Sequence, residues 1–315
     1  MSEMILVAED LHKSFGQTQA VRGITFGIRQ GEVFSLLGPN GAGKTTTISI
    51  LSCLIEPTSG DATVAGHSVR REPLHVKRAI GVVPQDIALY PTLSARENFL
   101  FWGRMYNLGG IELRKRVEEV LEKVGLRERA GDRIEAFSGG MKRRINLAVG
   151  LLHRPQLVFM DEPTVGIDPQ SRRNILDMVK TLNEQGMTVL YTTHYMEEAQ
   201  ELSRRIGIID HGKLIALGTL QELTLLVGQE EAVELSIASD HSTPELLAAL
   251  SQVAGVKQVT SENGTVRLLT LSGNAALPDL ITVANARGVR VTGVAVREPN
   301  LEGVFLHLTG RALRD

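Results

Sequence analysis

The sequence has one cysteine, little net charge and no long apolar run. The single cysteine, Cys53, excludes an internal disulfide framework and a multi-thiolate metal site, which is typical of a protein in a reducing compartment. The formal net charge of −2 excludes an overall basic field that would attract nucleic acid or lipid headgroups. We therefore expect no nucleic-acid partner.

No stretch approaches the roughly 18 uninterrupted apolar residues that a membrane-spanning helix needs. The longer apolar runs, such as Leu147–Leu152, are short and lie near arginines. Residues Met1–Asp10 carry three acids and no long apolar core, so we expect no secretory signal peptide. The sequence predicts a cytoplasmic protein with no membrane span of its own.

The 315 residues are 43% apolar and 22% charged, a balance typical of a globular protein with one large and one smaller domain. Short β-like runs open the chain, and a segment with helical periodicity predicts a helical subdomain at about residues 86–150. Apolar strands alternate with helices on both sides of that segment, which is the pattern of a parallel α/β sheet. The predicted strands are 4–8, 24–28, 32–37, 79–83, 157–160, 188–192 and 205–210.

The pattern changes near residue 228. The remaining segment predicts the order β-α-β-β-α-β, which resembles a ferredoxin-like module. A final helix places Leu301, Val304, Phe305 and Leu308 on one face. We expect a first domain of residues 1–227 and a small α+β accessory domain of residues 228–315. The accessory domain carries no catalytic cluster, and dimerisation, ligand sensing and bracing of the fold all remain open as its role.

A phosphate-binding loop follows the strand at 32–37. The run Gly38-Pro39-Asn40-Gly41-Ala42-Gly43-Lys44-Thr45 matches G-x-x-x-x-G-K-[ST], and the site extends to Thr46. Its glycines let backbone N–H groups wrap closely around a polyphosphate, and the helix that begins here directs its positive end toward it. Lys44 is expected to reach the β- and γ-phosphates, and the Thr45 hydroxyl to bind Mg²⁺. The motif therefore predicts ATP and Mg²⁺ as cofactors.

Two acids, Asp161 and Glu162, follow the apolar strand at 157–160. A carboxylate at that edge, opposite a phosphate loop, can orient Mg²⁺, and the next acid can activate or position water. Strand ends are often acidic, so this pair is informative only because it lies downstream of the phosphate loop. We assign Asp161 to magnesium and Glu162 to the attacking water.

With these motifs in place, residues 4–220 resemble the ATP-binding cassette (ABC) family. Further motifs follow in the family's order, each present once. They are Lys13-Ser14-Phe15-Gly16, Gln85, Phe137-Ser138-Gly139-Gly140-Met141, Val165-Gly166-Ile167-Asp168 and Thr192-Thr193-His194. The resemblance implies a P-loop NTPase cassette with a mixed sheet core, an antiparallel β subdomain and a helical subdomain.

The resemblance also implies roles for these residues. Phe15 would stack on adenine, Gln85 would contact Mg²⁺ and the coupling region, and His194 would sense the γ-phosphate. Ser138, Gly139 and Gly140 would bind phosphate as the family signature, and Asp168 matches the D-loop aspartate. The chain departs from the commoner signature by Phe137 for Leu and Met141 for Gln, and from the commoner adenine contact by Phe15 for tyrosine.

The family's active site is composite, because the signature of one cassette closes over the nucleotide of another. This chain has one phosphate loop and one signature, so the resemblance implies a second ABC subunit, and we expect a homodimer. Residues Met141–Arg144 and the C-terminal extension resemble the bacterial type-two exporter branch. That branch implies an ATPase on the inner face of the cell membrane, coupled to a separate integral membrane permease.

Two other functions remain open from the sequence. A soluble ABC ATPase of translation or DNA repair usually carries two cassettes or a long coiled-coil insertion. A small-molecule P-loop kinase would leave the signature and His194 without a role. The exported substrate lies beyond this sequence, because the permease determines it.

Overall fold

A computed structural model describes residues 3–226, 231–237, 243–262, 264–270, 272–297 and 300–309. The chain folds into two compact units, and the boundary between them lies after Thr219. The predicted boundary at 227/228 lies outside the described residues. No helix in the described ranges is long and apolar enough to span a membrane.

The first unit contains ten strands and seven α-helices in the described ranges, with two short 3₁₀ turns between α4 and α5. In chain order they are β1 (Met4–Phe15), β2 (Thr18–Arg29), β3 (Val33–Leu37), α1 (Lys44–Leu51), β4 (Ser59–Val64), β5 (His67–Ser68), α2 (Pro73–Ala79), β6 (Ile80–Val83), α3 (Ala95–Met105), α4 (Gly110–Lys123), α5 (Gly139–Gly150), β7 (Leu157–Asp161), α6 (Pro169–Glu184), β8 (Thr188–Thr193), α7 (Met196–Leu202), β9 (Arg205–Asp210) and β10 (Lys213–Gly218).

A six-stranded sheet forms the centre of this unit, in the order β10-β9-β3-β8-β7-β6. All neighbours are parallel except β10 and β9. Strands β3, β7 and β8 are buried along their whole length, which is why the sequence shows them as continuous apolar runs. The register pairs Leu37 with Thr193 and Asp161 with Thr192, so three carboxyl ends meet at one edge. Ligands of parallel sheets bind at such an edge.

A second sheet is antiparallel, in the order β2-β1-β4-β5. Strands β1 and β2 extend well beyond the predicted apolar segments, because their antiparallel pairing continues through polar residues to Phe15 and Thr18. Strands β4 and β5 were not predicted, since they are short and partly polar. Phe26 of this sheet stacks on Phe34 of the central sheet, with ring centroids 5.2 Å apart. The antiparallel sheet therefore packs on the central sheet, and residues of both lie in one apolar core.

Helices α3, α4 and α5 form the predicted helical subdomain and share a core that includes Phe99, Val117 and Ile145. Helix α3 begins with a capping box, in which Ser94 and Glu97 satisfy each other's backbone N–H groups. The subdomain therefore presents the N-terminus of α5, where the signature lies, on a packed support.

The second unit contains α8 (Leu220–Leu225), β11 (Glu231–Ile237), α9 (Pro244–Leu250), β12 (Val256–Glu262), β13 (Thr265–Thr270), α10 (Gly273–Ala286), β14 (Val291–Arg297) and α11 (Leu301–Thr309). Its antiparallel sheet has the order β12-β13-β11-β14, and its elements follow the predicted β-α-β-β-α-β order between α8 and α11. Leu301, Val304 and Phe305 are buried and Leu308 is partly exposed. Helix α11 contacts α8, which explains why α8 belongs to this unit.

Candidate nucleotide-binding site

The phosphate loop connects β3 to α1. Gly43, the N-cap of α1, has φ 107°, and a Cβ there would lie 2.6 Å from the Ala20 carbonyl oxygen. Only glycine fits this position without strain. Because Gly43 has no side chain to cap the helix, the N–H groups in the first turn of α1 have no side-chain cap. An uncapped helix N-terminus is suited to bind an anion.

Lys44 is 3% exposed and makes three polar contacts. Its Nζ donates to the carbonyl oxygens of Gly38 at 2.6 Å and Pro39 at 2.9 Å. It also lies 2.9 Å from Glu162 Oε1. A buried ammonium is tolerated only when oxygens surround it, and phosphate oxygens satisfy the same requirement. The environment of Lys44 therefore fits a polyphosphate.

Glu162 lies between Lys44 and the predicted switch histidine. Its Oε2 is 3.0 Å from His194 Nδ1, and the residue is 5% exposed. Its φ of 43° is a left-handed conformation that costs a non-glycine residue about 1–3 kcal/mol. The Thr192 hydroxyl accepts from the Glu162 N–H at 3.0 Å and helps to hold this backbone. One carboxylate thus joins the phosphate-loop cation to the histidine.

Asp161 is the last residue of β7 and is 4% exposed. The Thr192 hydroxyl donates to its Oδ1 at 2.6 Å, and the Thr45 hydroxyl also hydrogen-bonds it. Burial raises the pKa of the Asp161 carboxyl, and these hydrogen bonds act in the opposite direction. A carboxylate beside a hydroxyl is the oxygen donor set that Mg²⁺ prefers, so these residues fit the implied metal.

The signature and the D-loop aspartate form a second cluster. Ser138 caps α5 by accepting from the Met141 N–H at 3.3 Å, and Asp168 caps α6 by accepting from the Ser171 N–H at 2.9 Å. Hydrogen bonds with the side chain and the backbone of Ser171 hold the pKa of the Asp168 carboxyl below its usual range. A Cβ on Gly140 would collide with the Ser171 hydroxyl, so close packing of α5 on α6 also requires this glycine.

Gly139 has a different environment, because a Cβ there would meet nothing within 4 Å. Its backbone faces open space at the start of α5, next to the Ser138 cap. Phe15 is also open: it ends β1 and is 52% exposed, with Lys13 Nζ 5.1 Å from its ring centroid. Both residues are accessible to a ligand.

The structure therefore brings together Lys44, Thr45, Asp161, Glu162 and His194, and places Ser138, Gly139, Gly140 and Asp168 at two packed helix starts. Gln85 is exposed in the loop after β6. Within residues 3–226 its side chain has no hydrogen bond to the first cluster. Its backbone carbonyl, however, has a buried partner.

That partner is Arg143, for which the sequence predicted no individual role. It lies one turn into α5 and is 5% exposed. Its Nη1 donates to the carbonyl oxygens of Pro84 at 3.1 Å and Gln85 at 2.6 Å, and its Nη2 to that of Val165 at 3.5 Å. One guanidinium thus connects the signature helix to the glutamine loop and the D-loop.

Thr192 was named only as part of the run that ends at His194, but its hydroxyl contacts both Asp161 and Glu162. A hydroxyl near the end of an apolar strand, just before the histidine, is the signal that could have indicated it. The signal for Arg143 is weaker: the buried face of its helix is mostly apolar, and an arginine on that face requires polar partners.

Comparisons with known proteins agree with this geometry. The sequence profile of the ABC transporter family matches residues 21–165. The chain is 50% identical to the linearmycin resistance ATP-binding protein LnrL of Bacillus subtilis, over 99% of this chain and 100% of that protein. It is 40% identical to the daunorubicin resistance ATP-binding protein DrrA2 of Streptomyces coeruleorubidus, over 96% and 94% of the two chains. It is 35% identical to the Nod factor export ATP-binding protein I of Ralstonia nicotianae, over 100% and 96%.

Solved structures give the same result. The ATP-binding subunit of an ABC transporter aligns with a TM-score of 0.65 and 28% identity, over 71% of this chain and 93% of that one. A dimeric ATP-binding cassette bound to ADP and Pi aligns with a TM-score of 0.62 and 29% identity, over 68% and 98%. These relatives favour a transporter subunit over a soluble ABC ATPase or a small-molecule kinase. The chain therefore belongs to the ABC transporter family, as one of its ATP-binding, ATP-hydrolysing subunits.

Proposed function

We propose that this subunit drives the export of a toxic natural product through a separate permease at the inner face of the cell membrane. The observation that supports the hydrolytic part of the proposal is the position of Glu162 between Lys44 and His194, at 2.9 and 3.0 Å. In this arrangement a phosphate sensed by His194 would influence the carboxylate that is proposed to act on water. The class of cargo is inferred from the resistance proteins among the relatives.

In the proposed site, Lys44 and the N–H groups at the start of α1 bind the phosphates, and Phe15 stacks on the adenine. Residues 38–46 surround the phosphates. Thr45 and Asp161, with Gln85, would hold Mg²⁺, and the ion would supply positive charge to the phosphate oxygens. Glu162 accepts the proton of the attacking water at a carboxylate oxygen, and His194 orients that carboxylate.

We further propose that two copies assemble around ATP. The open backbone of Gly139, beside the capping Ser138, provides the surface that would meet a second copy's nucleotide. A solved neighbour is a dimeric cassette, which supports this assembly. Two identical subunits would complete two sites with the single motif set of each chain.

The export proposal is tested by drug susceptibility. A sensitive host that expresses this chain with the permease from its own locus should tolerate more linearmycin or daunorubicin than the empty host. The matched control is the same pair with Lys44→Ala, which should give no protection. Equal tolerance with and without an active chain for both compounds would contradict the proposed cargo class, while the ATPase assignment would stand.

The Arg143 contacts predict an effect on turnover. We expect Arg143→Lys to bind ATP normally but to hydrolyse it about tenfold to a hundredfold more slowly. A lysine ammonium cannot reach both loops in the geometry of the guanidinium, and small misplacements of a site have effects of this size.

The control is Arg144→Lys, which alters a neighbouring arginine that donates to Val124 O in the helical subdomain. Steady-state kinetics should show a fall in kcat with KM unchanged for the first variant only. Equal losses in both variants, or a change confined to KM, would contradict a positioning role for Arg143.

The second unit is proposed to strengthen dimerisation. We expect a chain that ends at Thr219 to bind ATP with unchanged affinity but to dimerise more weakly with Mg-ATP. All the residues of the site lie before this position, whereas Leu306, on α11, is 44% exposed. Analytical ultracentrifugation measures the dimer. A shortened chain that does not fold would show that the domain boundary after Thr219 is wrong. A shortened chain that dimerises as tightly as the full chain would contradict the dimerisation role of the second unit.

A further inference from the structure

We propose that His67, Glu72 and His75 form a binding site for a divalent cation of the zinc class, separate from the nucleotide site. Their ligand atoms all lie within 4.8 Å of one another. His67 Nδ1 is 3.0 Å from Glu72 Oε1, and the imidazoles of His67 and His75 stack with centroids 4.8 Å apart. Two imidazole nitrogens and one carboxylate oxygen, completed by water, are a common zinc donor set.

The spacing of these atoms suits one ion. Zinc–ligand bonds of about 2.0–2.2 Å place tetrahedral ligands roughly 3.4 Å apart. The pair formed by His67 and Glu72 is already near this separation. His75 is exposed and its ligand nitrogen lies within 4.8 Å of the other ligand atoms, so its side chain would have to rotate to bring that nitrogen into the same range.

The backbone beneath the ligands is held by Ser68, which is 5% exposed. Its hydroxyl donates to Asp61 Oδ2 at 2.7 Å and accepts from the N–H groups of Arg70 at 3.3 Å and Arg71 at 3.1 Å. The Ser68 carbonyl accepts from the Glu72 N–H at 2.9 Å. Strand β5 and the start of α2 are thus joined by a fixed turn. Ligands on a fixed backbone lose less entropy when they bind an ion.

The neighbouring arginines are directed to other partners. Arg70 Nη1 donates to the Gly60 carbonyl oxygen at 3.2 Å, and Arg71 Nη2 lies 3.8 Å from Asp61 Oδ2. Glu72 instead pairs with His67. Its carboxylate therefore remains available to a cation that displaces the His67 hydrogen bond.

The test is a titration of the full-length chain with Zn²⁺ against a chromophoric chelator, in excess Mg²⁺ and without nucleotide. We expect one Zn²⁺ to bind per chain, and we expect its affinity to fall in His75→Asn and in His67→Asn by at least the roughly tenfold to hundredfold that loss of an outer-shell partner costs. Zinc should also raise the Tm of the unsubstituted chain more than that of His75→Asn.

The matched control is His12→Asn. His12 Nε2 lies 3.0 Å from Asp10 Oδ1, so it forms a histidine–carboxylate pair of the same length, and the described part of the chain offers this pair no third ligand. This variant should bind zinc like the unsubstituted chain. The proposal is overturned if His75→Asn also binds like the unsubstituted chain, or if His12→Asn loses as much affinity. Any zinc bound at the Asp161 and Glu162 cluster would contribute equally to all the variants, so it would not affect the differences in zinc affinity between them.

Discussion

Replacement of Lys44 by alanine is expected to weaken ATP binding by at least about a hundredfold and to abolish hydrolysis. The ammonium is the buried cation of the phosphate loop, at 3% exposure. Removing one partner of a buried ion pair costs on the order of 3–5 kcal/mol, and Glu162 would then lose its 2.9 Å partner. Calorimetric titration with ATP measures the affinity.

The control for this variant is Lys180→Ala. Lys180 pairs with Glu201 at 2.6 Å, but both side chains are substantially exposed, and surface pairs contribute little. It should leave ATP affinity and turnover unchanged. Circular dichroism must show that Lys44→Ala is folded. An ATP affinity within twofold of the unsubstituted value in the folded Lys44→Ala protein would refute the phosphate-loop assignment.

Replacement of Glu162 by glutamine is expected to preserve ATP binding while kcat falls about a hundredfold to ten-thousandfold. The neutral amide has nearly the size of the carboxylate but cannot accept the proton of water. Since Lys44 still contacts the Gly38 and Pro39 carbonyl oxygens, the phosphate loop keeps its cation. Single-turnover hydrolysis separates this chemical defect from binding.

With hydrolysis blocked, Mg-ATP should cause a stable dimer of Glu162→Gln to accumulate, which gel filtration detects. Glu112→Gln, at an exposed position in the first turn of α4, is the control and should behave like the unsubstituted chain. A Glu162→Gln protein that hydrolyses at the normal rate would rule out the base role. One that stays monomeric with bound ATP would rule out the proposed assembly.

Much of the nucleotide site could be predicted because its motifs are local. Residues 38–45 are contiguous and run from the end of β3 into the first turn of α1, and the acids 161 and 162 lie at the end of an apolar strand. Long buried strands and amphipathic helices also leave clear periodic patterns. Strands β4 and β5 were missed for the same reason, since their short, partly polar sequences have no such pattern.

Contacts between distant residues could not be predicted in this way. Arg143 binds the Gln85 carbonyl oxygen, and Thr192 binds Asp161, across long sequence separations. Neither contact can be read from a local pattern, because a backbone carbonyl is present at every residue and a hydroxyl is common. The membership of α8 in the second unit depends similarly on its contact with α11.

The sequence by itself determined the chemistry of this protein: a phosphate loop, two acids after a strand, a signature and a histidine, each specified by adjacent residues. Only the tertiary structure decided that the Glu162 carboxylate contacts both Lys44 and His194. They follow β3, β7 and β8, which are separated in the chain but lie in the order β3-β8-β7 in the sheet. Parallel pairing brings their carboxyl ends to one edge, and the order of strands follows from the packing of the whole unit.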